Sequence, residues 1–241
     1  MPAFLVVIPT IRQDQRGFED VMLRVRQSFT QPTEFHILDG SKGKPAALNL
    51  ALDHLVARSS CDFYVTMDDD YVPGEGWQDR VADALQEFSE LGAVSLWVGD
   101  DPEAQKLIGA ERVLAPENRA GVTVRKNERG HHIAGACIAY RRDVAIQVGK
   151  QPITSQKYQV WEDAWRGRKI QSLGYELGFV EGATPEFIWY DDPPEYDAWR
   201  KEQVAQSRKD QDYYLATSGI PDPVSVRIRR WVAKVRGRAK E

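Results

Sequence analysis

The sequence has few of the features that mark secreted or membrane-embedded proteins. Only two cysteines, Cys61 and Cys137, occur in 241 residues, and both lie in apolar surroundings that favour reduced core thiols over a disulfide. No apolar run approaches the roughly 20 residues that a membrane span needs. The first residues lead straight into a strand-like run from Phe4, without the basic and then apolar pattern of a signal peptide. These absences predict a cytoplasmic protein.

Charge is spread unevenly along the chain. Residues 224–241 hold seven basic residues and one acidic residue, whereas the whole chain has a net charge of −4. An apolar stripe that includes Trp231 predicts a basic amphipathic helix after a hinge at Pro221 and Pro223. Such a helix suits three roles: docking on the acidic body or on another copy of the chain, lying on an anionic membrane surface, or contacting nucleic-acid phosphates.

Strand-like and helix-like segments alternate in the first hundred residues. Apolar, β-branched runs at residues 4–9, 35–38, 63–67 and 93–98 alternate with helical periodicity at 18–29, 45–55 and 77–91. This order predicts an α/β fold with a mainly parallel sheet flanked by helices. Beyond it, residues 100–130 are polar and predict a mobile surface segment. Further strands are expected at 133–140, 175–180 and 187–190, and a helix is expected at 161–173.

Three consecutive acids, Asp68, Asp69 and Asp70, end the apolar run at residues 63–67. Like charges this close repel, and a cation among them offsets that cost. Hard divalent cations prefer oxygen ligands, and Mg²⁺ often binds through one or two carboxylates together with substrate phosphates. Open α/β sheets place ligands at the carboxyl ends of their strands. The triplet is therefore either a metal–diphosphate site or a solvated acidic turn.

Four motifs follow one another in the chain: the opening strand at residues 4–10, the Gly-Lys-Pro helix signature at 43–52, the Asp-x-Asp motif at 68–70 and the Trp-Glu-Asp helix start at 161–163. In this order they resemble the motifs of the GT-A nucleotide-sugar glycosyltransferases, and most closely those of their large family 2. Gly135, the Arg141-Arg142 pair and Gly149 also fit the acceptor-side strand and helix of that family. The resemblance covers roughly residues 4–190. It implies a Rossmann-like GT-A domain over 1–215, with a donor half at about 1–100 and an acceptor half at about 101–215, before the hinge and basic helix at 216–241.

The resemblance also implies Mn²⁺ or Mg²⁺ and a nucleoside-diphosphate sugar, with a UDP-sugar as the expected donor. Asp69 is the middle acid of the triplet and is equally a spacer. The residues implied in donor binding are Pro9, Thr10, Arg12, Asp39, Lys44, Asp68 and Asp69. Those implied in metal binding are Asp68, Asp70 and Asp191. Asp39 is alternatively a turn-forming residue before Gly40, and Lys44 is alternatively an ordinary exposed lysine.

Asp163 matches the general base of the family's inverting members, and Glu162 is its neighbour in the catalytic pair. Asp163 would take a proton from the acceptor hydroxyl, whether that hydroxyl belongs to a glycan, a lipid-linked acceptor, a protein or a modified nucleic acid. The alternative is a pair of acids that complements a helix dipole. His131 and His132 precede the acceptor-side strand and are expected to be a surface pair, with contact to acceptor or diphosphate as the alternative.

The sequence departs from the family at two places. Related enzymes often complete the metal shell with a late histidine, but no histidine follows His132, so Asp191 or Asp192 is the expected substitute. Processive members carry a Gln-x-x-Arg-Trp motif, whereas the one Arg-Trp pair here, Arg230-Trp231, lies far downstream. Transfer of a single sugar is therefore expected.

Two other functional classes suit part of the sequence. A haloacid-dehalogenase-like phosphatase also has an apolar strand that ends in Asp-x-Asp, with a nucleophilic aspartate. A non-catalytic sugar- or nucleotide-binding module would keep the fold without the chemistry. Neither explains why the acidic triplet and Asp163 occur together.

Overall fold

The computed structural model describes residues 1–110, 112–153 and 162–190, together with 198, 201–202 and 217–219. Within these ranges ten strands and six α-helices follow one another. The strands are β1 (Phe4–Thr10), β2 (Thr33–Asp39), β3 (Phe63–Met67), β4 (Tyr71–Val72), β5 (Leu91–Leu96), β6 (Glu117–Arg119), β7 (Val122–Lys126), β8 (Cys137–Arg141), β9 (Glu176–Val180) and β10 (Glu186–Phe187). The helices are α1 (Phe18–Gln27), α2 (Lys44–Ala51), α3 (Trp77–Glu87), α4 (Pro102–Leu107), α5 (Arg142–Val148) and α6 (Glu162–Ser172).

Eight strands form one mixed sheet in the order β2-β1-β3-β8-β5-β9-β7-β6. β1 pairs in parallel with β2 and β3, and β5 pairs in parallel with β9. β8 runs antiparallel between β3 and β5, with Cys137 opposite Met67. The carboxyl ends of β1, β2 and β3 and the start of β8 therefore lie along one edge of the sheet.

Two apolar layers cover the faces of this sheet. The seven residues of β1 are all buried because its side chains alternate between the two layers. α1 and α3 pack on one face, through residues such as Val25 and Trp77. α2, α5 and α6 pack on the other, through residues such as Leu48 and Trp165. Helices on both faces of a mainly parallel sheet confirm the expected architecture.

The prediction for residues 100–130 is wrong. That segment contains α4, β6 and β7, and β7 joins the main sheet antiparallel to β9. Val122 and Val124 are buried and alternate with half-buried Thr123 and Arg125. The polar alternate residues belong to a strand whose other face is solvated, which is the usual pattern in an antiparallel pairing.

Several smaller differences concern the ends of elements. α2 continues into one π-helical turn at Leu52–Val56. The strand expected at 187–190 is the short β10, which pairs with β4 in a separate two-stranded ribbon. The expected acceptor-side strand and helix are β8 and α5. No described helix has both the length and the apolar character needed to cross a bilayer.

Candidate active site

The acidic triplet lies where β3 ends, on the edge of the sheet that also holds the end of β1 and the start of β8. The backbone N–H of Asp68 still donates to Ala136 O (2.8 Å), which continues the β3–β8 pairing by one residue. The N–H of Ile188 donates to Asp70 O (2.7 Å), so the chain after β10 runs beside the acidic loop. The side chains of the three acids differ in burial and in the residues that they contact.

Asp69 is the buried member of the triplet. Its Oδ1 lies 2.7 Å from Arg12 Nη1, and its Oδ2 accepts a hydrogen bond from the Thr10 hydroxyl. The Tyr190 hydroxyl donates to the Asp69 carbonyl oxygen (2.9 Å). Burial raises the pKa of Asp69, and Arg12 and Thr10 partly offset the rise. Because protein groups occupy both carboxylate oxygens, the geometry favours the spacer interpretation, in which Asp69 braces the loop.

Asp68 and Asp70 are the more accessible members. Lys44 Nζ lies 2.5 Å from Asp68 Oδ1, and Arg12 Nη1 lies 3.6 Å from Asp70 Oδ2. The Asp70 side chain is 39% exposed. Partial burial raises the pKa of Asp70 to about 6, and the neighbouring Asp68 and Asp69 charges add to that rise. The two outer acids therefore form a negative corner, and cationic side chains already lie against it.

Asp68 and Asp70 suit a hard divalent cation. The donor set consists of carboxylate oxygens, and two carboxylates with substrate phosphates are a common arrangement for Mg²⁺. Within the described ranges, no three or more His, Cys, Asp or Glu side chains converge as a metal site. A cation here would therefore need phosphate, water or another residue for its remaining ligands. Asp191, the predicted third protein ligand, lies outside the described residues, as does Asp192.

The second pair of acids lies at the start of α6. Glu162 is buried, and its Oε1 lies 3.4 Å from Lys44 Nζ. Asp163 accepts hydrogen bonds from the backbone N–H of Gly135 at Oδ2 (3.1 Å) and of Ala164 at Oδ1 (2.6 Å). Burial raises the pKa of Asp163 to about 6 and that of Glu162 to about 7, while the Lys44 charge opposes both shifts. A carboxyl with a pKa in this range is suited to general-base work near neutral pH.

Lys44 joins the two acidic groups. It is the first residue of α2, and its Nζ contacts Asp68, Glu162 and the carbonyl oxygen of Gly135 (3.3 Å). A Cβ at position 135 would lie 2.7 Å from Nζ, so glycine leaves the space that the ammonium occupies. Burial alone would lower the pKa of Lys44, but Asp68 and Glu162 outweigh it and raise the pKa above its ordinary value. Lys44 is therefore a permanent positive charge rather than an exposed surface lysine.

A polar network ties α6 to α2 behind the site. Asn49 exchanges two hydrogen bonds of 3.0 Å with the backbone of Gln151. The Gln151 side chain then accepts a hydrogen bond from Arg166 Nε (2.7 Å). Arg166 lies one helical turn after Glu162, so this network fixes the position of the acid pair relative to Lys44.

His132 lies beside the acid pair, although the sequence favours a surface pair of histidines and keeps acceptor or diphosphate contact as the alternative. Its Nε2 lies 3.9 Å from Asp163 Oδ2, and its side chain is 35% exposed. Burial, together with the nearby Arg168, lowers the pKa of His132 to about 4. The ring is therefore partly exposed but lies beside the acid pair, and its contact with an acceptor or a diphosphate stays a prediction. The adjacent histidines were the only sequence signal, and they did not distinguish this position from His131.

The remaining predicted residues lie at or near the same edge. Thr10 and Asp39 are opposite each other at the ends of β1 and β2. Asp39 is exposed and accepts two hydrogen bonds of 2.8 Å from Ser41, which is the turn-forming geometry. Pro9 is buried within β1. Contact of these residues with a donor stays a prediction. Trp161 and the basic segment at 224–241 fall outside the described residues.

Comparison with known proteins supports the fold assignment. The structure is similar to a mannosyltransferase from Pyrobaculum calidifontis in complex with GDP-Man and Mn²⁺, with a TM-score of 0.54 and 17% identity. That match covers 87% of this chain and 65% of the mannosyltransferase, which is therefore considerably longer than the matched part. It is also similar to glucosyl-3-phosphoglycerate synthase from Mycobacterium tuberculosis in complex with Mn²⁺, UDP and phosphoglyceric acid. There the TM-score is 0.54, the identity is 16%, and the match covers 92% of this chain and 80% of the synthase.

No protein-family model matches the sequence, and no curated protein matches it. At 16–17% identity, the structural matches establish a shared fold rather than a shared activity. The haloacid-dehalogenase-like alternative requires a different fold and is therefore wrong. The chain has the GT-A fold of nucleotide-sugar glycosyltransferases.

Proposed function

We propose that this protein is a glycosyltransferase that uses Mn²⁺ or Mg²⁺ and moves one sugar from a nucleoside-diphosphate sugar to an acceptor hydroxyl. One observation carries the proposal. At the carboxyl edge of the sheet, Asp68 faces the buried acids Glu162 and Asp163 across Lys44, and Asp70 follows Asp68 in the same acidic triplet. A site for a charged leaving group and a site for a general base are thus adjacent.

Asp68 and Asp70 would hold the divalent cation, with a ligand from Asp191 as a further expectation. The cation, when bound, supplies positive charge that neutralises the diphosphate as it leaves. Lys44 adds a second positive charge beside the same corner, because Asp68 and Glu162 hold its ammonium there. Arg12 lies 3.6 Å from Asp70 and places a third cation nearby. These positive charges would attract the negatively charged diphosphate of the donor.

Asp163 is the proposed general base. It takes the proton of the acceptor hydroxyl as that oxygen bonds to the anomeric carbon, and the bond from that carbon to the diphosphate breaks with its electrons leaving on phosphate. The N–H groups of Gly135 and Ala164 orient the carboxylate. Attack from the face opposite the leaving group inverts the anomeric centre. Glu162 contributes a neighbouring charge and holds Lys44.

The donor nucleotide is proposed as UDP, with GDP as the alternative, because the two similar structures hold UDP and GDP-Man respectively. The acceptor is a compound with a free hydroxyl group: a glycan, a lipid-linked acceptor, a protein or a modified nucleic acid.

Peripheral membrane or nucleic-acid contact through residues 224–241 stays a prediction. The division between a domain at 1–215 and a hinge and basic helix at 216–241 also stays a prediction.

The test is a donor screen by thermal shift, with and without Mn²⁺. Ligand binding raises apparent stability as RT ln(1 + [L]/Kd), so a true donor raises Tm in the presence of Mn²⁺ and the free sugar does not. Release of the nucleoside diphosphate from that donor then separates an enzyme from a binding module. The absence of a thermal shift with every nucleotide sugar in the presence of Mn²⁺ would refute the proposal. Binding without turnover would favour the non-catalytic module.

A further inference from the structure

His132 and Asp163 place two polar side-chain atoms side by side. Nε2 of His132 lies 3.9 Å from Oδ2 of Asp163, and the imidazole is about one-third exposed. Within the described ranges, the imidazole makes no hydrogen bond, although a neutral imidazole offers one donor and one acceptor. Asp163 Oδ2 receives one backbone hydrogen bond, from Gly135, and a carboxylate oxygen has room for another.

The backbone around His132 is anchored both to α6 and to the residue that follows β7. Gln171 accepts a hydrogen bond from Gly130 N–H (2.9 Å) and donates to His131 O (3.1 Å). Asn127 donates to His132 O (2.9 Å). The imidazole therefore projects from a fixed segment.

Gly167 allows this close approach. A Cβ at position 167 would lie 3.0 Å from His132 Cβ and 3.3 Å from His132 Cα. The absence of a side chain lets α6 and the His132 segment touch through their backbones. The distance between the imidazole and Asp163 is thus set by the packing of the two segments.

We propose that His132 is an acceptor-binding residue and that the acceptor carries two adjacent hydroxyl groups, one on Asp163 and the other on His132. This inference rests on the proposed function. The oxygens of a gauche vicinal diol are separated by about one hydrogen-bond length, about 2.8 Å. Two roughly parallel hydrogen bonds can therefore join such a diol to two atoms that are 3.9 Å apart. Sugars and polyols carry this arrangement.

The two residues have separate tasks in the transfer. The hydroxyl on Asp163 gives its proton to that carboxylate, its oxygen bonds to the anomeric carbon, and the nucleoside diphosphate leaves with the electron pair of the broken bond. The neighbouring hydroxyl exchanges no proton with His132 and only fixes the orientation of the acceptor. Orientation of this kind lowers the entropic part of the barrier.

A proton relay from Asp163 to His132 is disfavoured. Burial and the charge of Arg168 lower the pKa of the imidazole to about 4, whereas burial raises the pKa of Asp163 to about 6. Transfer of the proton from Asp163 to His132 would therefore be uphill. His132 is neutral near pH 7 and suited to binding a hydroxyl.

The experiment compares two isomeric probes, 1,2-propanediol and 1,3-propanediol, which differ in whether their hydroxyls are adjacent. Crystals of the full chain soaked at equal concentration should hold 1,2-propanediol, with one oxygen within 3.2 Å of Asp163 Oδ2 and the other within the same distance of His132 Nε2. They should not hold 1,3-propanediol in this way. Absence of both probes, or binding of both alike, would overturn the inference.

A kinetic experiment uses the same probes as acceptors, with the nucleotide sugar that gives the largest thermal shift and Mn²⁺. Wild-type kcat/KM should be about three- to tenfold higher for 1,2-propanediol, the range expected for one hydrogen bond. His132→Leu should remove this preference and leave the donor-induced thermal shift unchanged. His132→Gln should retain part of it, and His131→Leu should retain all of it.

The two proposals fail in different ways. Loss of donor binding in the wild-type protein would refute the proposed function, whatever the crystals show. Normal donor binding and turnover, with an equal rate for both probes or with the preference intact in His132→Leu, would refute the role of His132 alone.

Discussion

Lys44 and Asp68 form an ion pair that joins the two acidic groups of the site. Nζ lies 2.5 Å from Asp68 Oδ1 and 3.4 Å from Glu162 Oε1, so one ammonium is shared by the end of β3 and the start of α6. The same carboxylate that Lys44 holds is proposed to hold a divalent cation. Lys44 and the cation would therefore both contact the Asp68 carboxylate.

Replacement of Lys44 by Met should destabilise the protein because three acids then lie together without their shared cation. The cost is expected to be about 1–2 kcal/mol, between that of an exposed and a buried ion pair, since Lys44 and Asp68 are partly accessible. Urea denaturation measures the change. Mn²⁺ should raise Tm more in Lys44→Met than in the wild type, since it replaces the missing charge.

The matched control for Lys44→Met is Lys42→Met, in the turn just before α2, where the side chain is exposed. That variant should change the free energy of unfolding by no more than about 0.5 kcal/mol. An equal Mn²⁺ effect in wild type and Lys44→Met would contradict the view that Lys44 and the metal serve the same carboxylate.

Asp69 and Asp70 are adjacent but should have opposite phenotypes. Asp69→Ala breaks a buried pair with Arg12 and removes the acceptor for Thr10, so it should cost about 3–5 kcal/mol of unfolding free energy. Asp70→Ala removes a more exposed acid and should change stability by less than about 1 kcal/mol.

Donor binding should show the reverse order at these two positions: it should depend on Asp70 more than on Asp69. Asp70→Ala should abolish the Mn²⁺-dependent thermal shift with nucleotide sugar. A charge-removing but isosteric change, Asp69→Asn, should retain a measurable shift. If Asp69→Asn lost metal dependence while Asp70→Ala kept it, the assignment of the two acids would have to be exchanged.

The pH profile of transfer should reflect the acid pair on α6. Asp163 works as a base only when ionised, and burial raises its pKa to about 6. At saturating donor and Mn²⁺, kcat should therefore rise with pH and level off above about pH 6–7. Lys44, Glu162, Asp68 and His132 all face this carboxyl, so the apparent value belongs to the coupled group.

The free energy of unfolding should instead decrease as pH rises over the same range. Because the folded-state pKa values of Asp163 and Glu162 are raised, the folded protein binds protons more tightly than the unfolded chain between about pH 4 and 7. The contribution of these groups to stability is therefore greatest at the acidic end of that window and falls as pH increases.

Asp163→Asn should flatten part of this pH dependence of stability and lower kcat by about 10²–10⁴. A variant that retained full kcat would show that Asp163 is not the base.

Gly167→Ala should disturb the contact between α6 and the His132 segment. The added Cβ would lie 3.0 Å from His132 Cβ and 3.1 Å from Leu177 Cδ1, which is closer than ordinary packing allows. Overpacking of this kind costs about 1–3 kcal/mol, and displacement of His132 should lower kcat/KM for the acceptor more than it affects donor binding. Ser172→Ala, on an exposed part of the same helix, is the control and should leave both quantities unchanged. Normal acceptor kinetics in Gly167→Ala would show that the spacing is not critical.

The sequence predicted the central elements well because their apolar patterns are long. β1, β3, α1 and α3 follow from buried runs or clear helical periodicity. β6 and β7 were missed because they are only three and five residues long. All three residues of β6 are polar, and only two residues of β7 are apolar. The antiparallel insertion of β8 between β3 and β5 was not predictable, since local pattern carries no information on strand order.

The acids of the site were identified from their position at the ends of elements, but their individual tasks required coordinates. Asp69 differs from its neighbours only in the direction of its side chain, which meets Arg12 and Thr10. His132 depends on the packing of two segments that are distant in sequence, with Gly167 at the contact. Neither relationship leaves a local signature in the chain.

The central claim is that a divalent cation and a nucleoside diphosphate bind together at Asp68 and Asp70. The most direct test is a crystal structure of the full chain with Mn²⁺ and UDP or GDP, using the anomalous signal of manganese to locate the ion. We predict a manganese peak in contact with both carboxylates and with the diphosphate. A nucleotide bound elsewhere, or a manganese peak away from this corner, would contradict the account.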